Sequence, residues 1–298
     1  MKIKFYVAAA LAVAFMGCKN EAADYTKTTN DTTKAAAKTT DGAVADTAST
    51  APEATDAGTP AEGKVLLRLN YPKGFEQTLV YNLDTKGDAM NGIISLTLKY
   101  GVAGVTTGAT PTYTLAGKIT GTRMNFTAMG NKMEYDSSKK ISANADKQTM
   151  AMDKQYRTIL KEALTFGVDS RGKLVAPMAF SGEAKEVKSP FDINSYYLYY
   201  PEKAVGVGDS WSAKVESAQA GGILDNTYTV KEISDTTVII AVKSIWPAPA
   251  MQGAKPSVFT GTYIIDRATG MVTKGSVSGY MEAMGATITM SFIGKQVK

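Results

Sequence analysis

The sequence predicts a mainly β fold of the α+β class, a curved antiparallel sheet or half-barrel with a few covering helices. Three observations predict it. From Lys64 onward, apolar and polar residues alternate with period two over most of the chain. Two loops place a glycine three or four residues after an aspartate, between apolar flanks. Only one long stretch carries an apolar stripe at helical spacing. Alternation of this kind marks strands with one face buried and one wet, which is the pattern of antiparallel rather than parallel sheet.

The first alternating segment is KVLLRLNY, with Val65, Leu67, Leu69 and Tyr71 on one side and Lys64, Arg68 and Asn70 on the other. IISLTLKY repeats the pattern with Ile94, Leu96, Leu98 and Tyr100, and TITMSFI with Ile288, Met290 and Phe292. Further strands are readable around 77–84, 112–120, 122–129, 223–233, 237–245, 258–266 and 271–282. The loops Val168-Asp169-Ser170-Arg171-Gly172 and Ile265-Asp266-Arg267-Ala268-Thr269-Gly270 read as hairpin turns. In each, the aspartate can accept bonds from nearby backbone amides and the glycine supplies a positive φ. Neither loop has the oxygen spacing of a calcium site. In MAMDKQYRTILKEALTF, Met152, Tyr156, Ile159, Leu160 and Ala163 form the helical stripe, with Asp153 and Arg157 paired one turn apart. A second, shorter helix is expected over PFDINSYYLYYP, opened by Asp192 and stopped by Pro201.

The amino terminus carries an address. Lys2 and Lys4 precede the apolar run FYVAAALAVAFMG, which ends at Cys18, the one cysteine in 298 residues. A short basic region followed by a brief apolar region is a secretory signal, too short for a permanent bilayer span. Phe15, Gly17 and Cys18 resemble the processing box of bacterial lipoproteins, with phenylalanine where leucine is usual. The resemblance implies that residues 1–17 are removed and that Cys18 becomes a lipid-bearing terminus, attached to the outer membrane on its periplasmic face or at the cell surface. Several acyl chains exceed what stable anchoring requires, at about 0.8 kcal/mol per buried methylene. Residues 18–62 are rich in Thr, Ala and Asp and lack the apolar side chains that would offset ordering entropy. Such a tether averages roughly 35–40 Å end to end. The stretch Lys19-Asn20-Glu21 resembles the lysine-plus-acid export signal of surface lipoproteins in Bacteroidetes-type bacteria, departing from it at Asn20. Residues 63–298 form the globular body.

Composition narrows the chemistry. The chain has no histidine, which removes the commonest general base and transition-metal ligand. Its formal charge of +5 divides into +2 over residues 1–17, −4 over 18–62 and +7 over the body. No dense basic run with interleaved aromatics points to nucleic acid. The string Gly208-Asp209-Ser210-Trp211 resembles the nucleophile block of GDSL-type esterases, but a serine without a histidine base is barely nucleophilic. It reads better as a turn followed by a strand that opens with Trp211. No phosphate loop, dinucleotide fingerprint or Cys/His cluster is present, so no cofactor or metal is expected and the chain is read as a non-enzyme. The remaining unusual feature is Tyr196-Tyr197-Leu198-Tyr199-Tyr200. Together with Trp211, Tyr196, Tyr197, Tyr199 and Tyr200 are candidates either for core packing or for the half-wet rim of a ligand mouth.

The run YYPEKAVGVGDSW, Tyr199 to Trp211, resembles the signature of an uncharacterised lipoprotein family of Bacteroidetes-type bacteria. Gly261-x-Tyr263-x-x-Asp266-x-x-Thr269-Gly270-Met271 and Val168-Asp169-x-x-Gly172 match the order expected of that family. Its strand pattern is similar to the lipoprotein-carrier half-barrel of the periplasmic lipoprotein chaperones. That similarity implies a sheet enclosing an apolar cavity for a lipid or other hydrophobic ligand. The alternative is an envelope-structural or surface interaction module with no small ligand. The anchoring residue can be tested directly. Cys18→Ser is expected to abolish incorporation of labelled palmitate and to move the chain from the membrane to the soluble fraction. Unchanged fractionation would contradict the reading.

Overall fold

The structure is a computed structural model that describes residues 63–142, 144–187, 193, 196–217, 222–247 and 255–297. The signal, Cys18 and the tether lie outside the described residues. Among the described residues there are twelve strands: β1 (Glu76–Gly87), β2 (Met90–Thr106), β3 (Thr112–Ala128), β4 (Asn131–Asp136), β5 (Leu164–Asp169), β6 (Leu174–Phe180), β7 (Ser210–Ser217), β8 (Gly222–Ile233), β9 (Thr237–Trp246), β10 (Ser257–Asp266), β11 (Val272–Met281) and β12 (Ala286–Gln296). All belong to one curved, unclosed antiparallel sheet in the order β6-β5-β3-β2-β1-β12-β11-β10-β9-β8-β7, with β4 paired to β3 beside β5. The amino- and carboxy-terminal halves meet where β1 pairs with β12, from Gln77 opposite Gln296 to Gly87 opposite Ala286.

The period-two pattern fixes which face is covered. Leu79 and Tyr81 on β1, Leu96 and Leu98 on β2, and Ile288, Met290 and Phe292 on β12 are buried on the inner face. Their neighbours Asn82, Ser95, Thr97 and Ser291 face outward. The two segments read as separate strands at 112–120 and 122–129 are one strand, β3, with a bulge that skips Thr120 between the pairs Thr97–Gly121 and Leu98–Ile119. The helical stripe forms α1 (Lys147–Lys161), opened by Asp146, whose carboxylate accepts from the Thr149 amide at 2.8 Å. The helix packs on β3 and β4. There Tyr156 stacks on Tyr135 with centroids 5.1 Å apart, and Arg157 pairs with Asp153 at 2.8 Å. The space beneath α1 is therefore filled by the protein's own rings.

Two expectations are corrected. Residues 64–71 alternate as expected, with Val65, Leu67, Leu69 and Tyr71 buried, but they are not a strand of the sheet. Their backbone is shared among three partners: Val65 exchanges two bonds with Val205 at 2.9 Å, Leu69 donates to Ser170 O at 2.7 Å, and Asn70 donates to Thr269 O at 2.9 Å. Alternation reports that a segment is extended with one side covered, and is silent on whether one neighbour or several satisfy its backbone. Of the short helix expected from 190 to Pro201, Ile193 has 3-10 geometry but 196–200 form a turn and extended chain, so the helix does not run on to Pro201; 190–192, 194 and 195 lie outside the described residues. Tyrosine favours extended backbone, and this run spends its main-chain groups on other loops: Tyr200 N donates to Arg171 O at 2.8 Å and Tyr199 O accepts from Trp211 Nε1 at 2.6 Å.

Both aspartate–glycine loops are hairpin turns, β5–β6 and β10–β11, as read from the sequence. Asp169 accepts from the amides of Arg171 and Lys173, and Asp266 from the amide and hydroxyl of Thr269. Their glycines have a further use. Gly172 (φ +81°) lies against the carbonyl of Leu198, and Gly270 (φ +68°) against the carbonyl of Arg68, so that a Cβ at either position would collide with backbone. Each turn thus leans on one of the two segments that cross this end of the sheet. Gly270→Ala should cost on the order of 2 kcal/mol or more, because backbone strain and the collision with Arg68 act together. Gly208→Ala, also at positive φ but with nothing within 4 Å, should cost less. Urea unfolding midpoints of the two variants give the comparison.

Candidate functional site

The tyrosine run was the sequence's best candidate for a ligand mouth, and the structure places most of it in the core. Tyr196, Tyr197, Leu198 and Tyr200 are buried, while Tyr199 is half-buried and packs against the core. They fill the inner face at the turn end, where they meet Tyr71, Tyr100, Phe166 and Phe292. Trp211 is partly buried, its ring 5.4 Å from that of Tyr228. The turn before it is held by Asp209, whose carboxylate accepts from the Gly206 amide at 2.9 Å and pairs with Lys64 at 3.4 Å. The string that superficially matched an esterase is a clamp on the crossing segment, and Gly208 supplies its positive φ of +90°.

At the centre of the buried rings sits Gln77, 0% exposed. Its Nε2 donates to Tyr196 Oη at 2.6 Å, and its Oε1 accepts from Tyr100 Oη at 2.7 Å. Tyr196 Oη in turn donates to the carbonyl of Val272 at 2.8 Å. Tyr200 Oη donates to the carbonyl of Gly270. Buried polar groups hold their place only when partnered, and here each phenol finds a partner in the protein itself. Burial pushes the phenols of Tyr71, Tyr100, Tyr196, Tyr197 and Tyr200 above their ordinary range. Sequence reading missed Gln77 because it occupies an inward position of β1 without breaking the apolar–polar count. The signal available was a lone amide on the apolar face of a strand.

A second segment completes the closure. Arg68, half-buried, donates to the carbonyls of Leu67, Pro201 and Glu202 at 2.7, 2.6 and 2.7 Å, and its pKa is lowered chiefly by burial. Arg171 donates to the carbonyl of Tyr200 at 3.1 Å and pairs with Glu202 at 2.9 Å. Residues 64–71 and 196–205 therefore tie the β5–β6 and β10–β11 turns together across the inner face.

The outward face has a different character. Register places Arg123, Ser95, Asn82, Ser291, Ser276 and Thr262 side by side on six neighbouring strands. At one end of this row lies a groove of about 710 Å³, whose lining includes Asn82, Ser95, Thr97, Lys118, Arg123 and Asp136. It forms where β4 parts from β3 and β5 has not yet joined, leaving residues 118–122 of β3 without either neighbour. Chemically this is a hydrogen-bonding surface, at whose margin the Ser138 hydroxyl donates to Asp136 Oδ1 at 2.6 Å.

A family model described as a family of unknown function (DUF6263) matches residues 183–272. The match includes Tyr199–Trp211 and Gly261–Met271 and stops short of Val168–Gly172. No curated protein matches the sequence. Among solved structures, the chain is similar to lipovitellin, in a study of its lipid–protein interactions, at 10% identity and a TM-score of 0.46. That match covers 77% of this chain and 26% of the other, so the chain spans about a quarter of the lipovitellin it matches. A porin-like protein from Bacteroides uniformis is similar over 76% of this chain and 98% of that one, at 10% identity and a TM-score of 0.19.

Two measurements test the tyrosine network. Tyr196→Phe leaves both Gln77 Nε2 and Val272 O without this partner and should cost about 1–3 kcal/mol. The pH dependence follows from the raised phenol pKa values. An unfolded tyrosine loses its proton near pH 10 while the buried ones keep theirs, so this stability is fully present below pH 10 and is lost as pH rises above it. Absorbance at 295 nm should show the buried phenols ionising together with unfolding. A smooth titration near pH 10 with the fold retained would contradict this.

Proposed function

We propose that the chain is a membrane-tethered, non-enzymatic binding protein of the bacterial outer membrane, held by lipid on Cys18. In this reading the concave face of its sheet receives a hydrophobic or amphipathic molecule. The observation that carries the proposal is the one-sided, unclosed sheet, whose inner face is mostly apolar. An antiparallel sheet with one apolar side and two unpaired edges offers a trough for apolar ligands. The tyrosines fill its turn end and α1 occupies the region over β3 and β4. The inner face of β8–β10, away from the turns, is the stretch we assign to the ligand; its side chains are buried, so entry requires their cover to move. There Trp246 stacks on Phe259 with centroids 4.5 Å apart. The lack of histidine supports a role without acid–base chemistry.

A second reading, an interaction module without a small ligand, is favoured by the outward row from Arg123 to Thr262 and the groove at its end. Small uncharged polar side chains in register suit a broad hydrogen-bonded contact with a partner surface. Solvent extraction and mass spectrometry of the soluble Cys18→Ser chain separate the two readings, because that variant carries no covalent acyl chain to confuse the result. A co-purifying hydrophobic molecule near one per chain is expected. A chain that carries none and takes up none would leave the interaction module standing.

A further inference from the structure

We propose that the inner face of β8 and β9 is a subsite for the head of an amphipathic ligand, in which Asn226 and Ser244 receive hydrogen bonds from a neutral hydroxyl or amide. The proposal rests on the concave-face reading above and assigns it residues and a ligand class. Asn226 and Ser244 are directly opposite each other in the β8–β9 register, and Ser244 is opposite Phe259 on β10. Both polar residues belong to the buried face, with Asn226 9% and Ser244 5% exposed. Asn226 uses its amide nitrogen on Tyr228 Oη at 3.0 Å. Its carbonyl oxygen Oδ1 and the hydroxyl of Ser244 have no hydrogen-bond partner. The contrast with Gln77 is direct: there the same kind of inward amide is satisfied at both ends by the protein.

Leaving a buried polar atom unpaired costs about 1–3 kcal/mol, so two such oxygens on neighbouring strands ask for an occupant. The surroundings say what kind. Leu224 and Tyr228 flank Asn226 along β8, Val242 and Trp246 flank Ser244 along β9, and Phe259 closes the row. These inward neighbours carry no charge. Bringing an ionic head into them would incur a heavy desolvation penalty. A neutral group with an O–H or N–H satisfies the two oxygens, and a hydrocarbon body covers the apolar and aromatic wall. Oδ1 can only accept, so the ligand must donate, whereas a plain ester or hydrocarbon cannot.

The soluble Cys18→Ser chain tests this with two probes of equal chain, monoolein, which has free hydroxyls, and methyl oleate, which has none, followed by tryptophan fluorescence. Monoolein should bind about tenfold more tightly, the effect of roughly one net hydrogen bond to a buried acceptor. In Asn226→Leu/Ser244→Ala the preference should vanish through weaker monoolein binding, with methyl oleate unchanged. Ser244→Ala, which removes only an unpaired oxygen, should leave the melting temperature equal or raised, whereas Asn226→Leu also gives up the bond to Tyr228 Oη. Should the double variant fail to fold, Ser244→Ala alone, which deletes a single oxygen, should still narrow the preference. Equal binding of the two probes by the unsubstituted site, or a preference that survives substitution, overturns the subsite while the concave-face reading stands. Bound water alone at the two oxygens gives that same equal result. Binding of neither probe overturns both.

Discussion

An unclosed sheet with one apolar side must have that side covered, and the structure meets this constraint at one end with its own backbone. The segment 64–71 and the run 196–205 cross the inner face there, and both hairpin turns abut them through glycines that approach a carbonyl too closely for any side chain. Much else follows from this crossing. It accounts for the aspartate–glycine composition of two turns far apart in sequence, for the buried tyrosines, and for an arginine whose donors serve three carbonyls. Val65, Leu67, Leu69 and Tyr71 supply the main attraction, each worth about 1.5–3 kcal/mol on burial. The exposed Lys64–Asp209 pair adds orientation and little energy.

The crossing also shows where sequence reading succeeds and where it stops. Strand faces, both hairpins and α1 with its Asp153–Arg157 pair were legible because each is encoded within about fifteen residues, by periodicity or by turn chemistry. The run 64–71 gave its faces correctly but not its place outside the sheet, since period two is a property of the segment and pairing is a property of the whole fold. Tyr196-Tyr197-Leu198-Tyr199-Tyr200 was ambiguous for the same reason. Whether a phenol lies at a rim or in a core depends on Gln77, Tyr100 and Val272, which are remote in sequence. Asn226, like Gln77, was visible only as a lone amide on the apolar face of its strand, and nothing in the sequence sets it beside Ser244 until register pairs the two strands.

The organisation of the sheet has consequences for its edges and its assembly. The path ends at β6 and β7, and unpaired edges invite pairing with other chains. Pro177 interrupts the ladder of β6, and Lys214 and Glu216 point outward from β7, which are ordinary devices against such pairing. The central β1–β12 pairing joins residues more than two hundred positions apart. Loop closure of that length opposes early formation, so the local hairpins of each half have the advantage in time.

The same geometry would keep the proposed attachment apart from the proposed ligand subsite. The described chain begins beside the turn end, where Lys64 meets Asp209 and Val65 meets Val205. Asp209 O accepts from Val230 N on β8, and Gly208 N donates to Val230 O. Asn226 lies four residues further along that strand, roughly 13 Å away at the rise of an antiparallel strand. Under the proposed anchoring, a chain arriving from Cys18 would join the body where it is most heavily cross-tied, away from the two unpartnered oxygens. Loosening the crossing to admit a ligand at the turn end would expose four buried side chains and break the Gln77 circuit. A ligand at Asn226 and Ser244 leaves the Gln77 circuit and the crossing segments in place, which is the physical reason to propose it there rather than among the tyrosines.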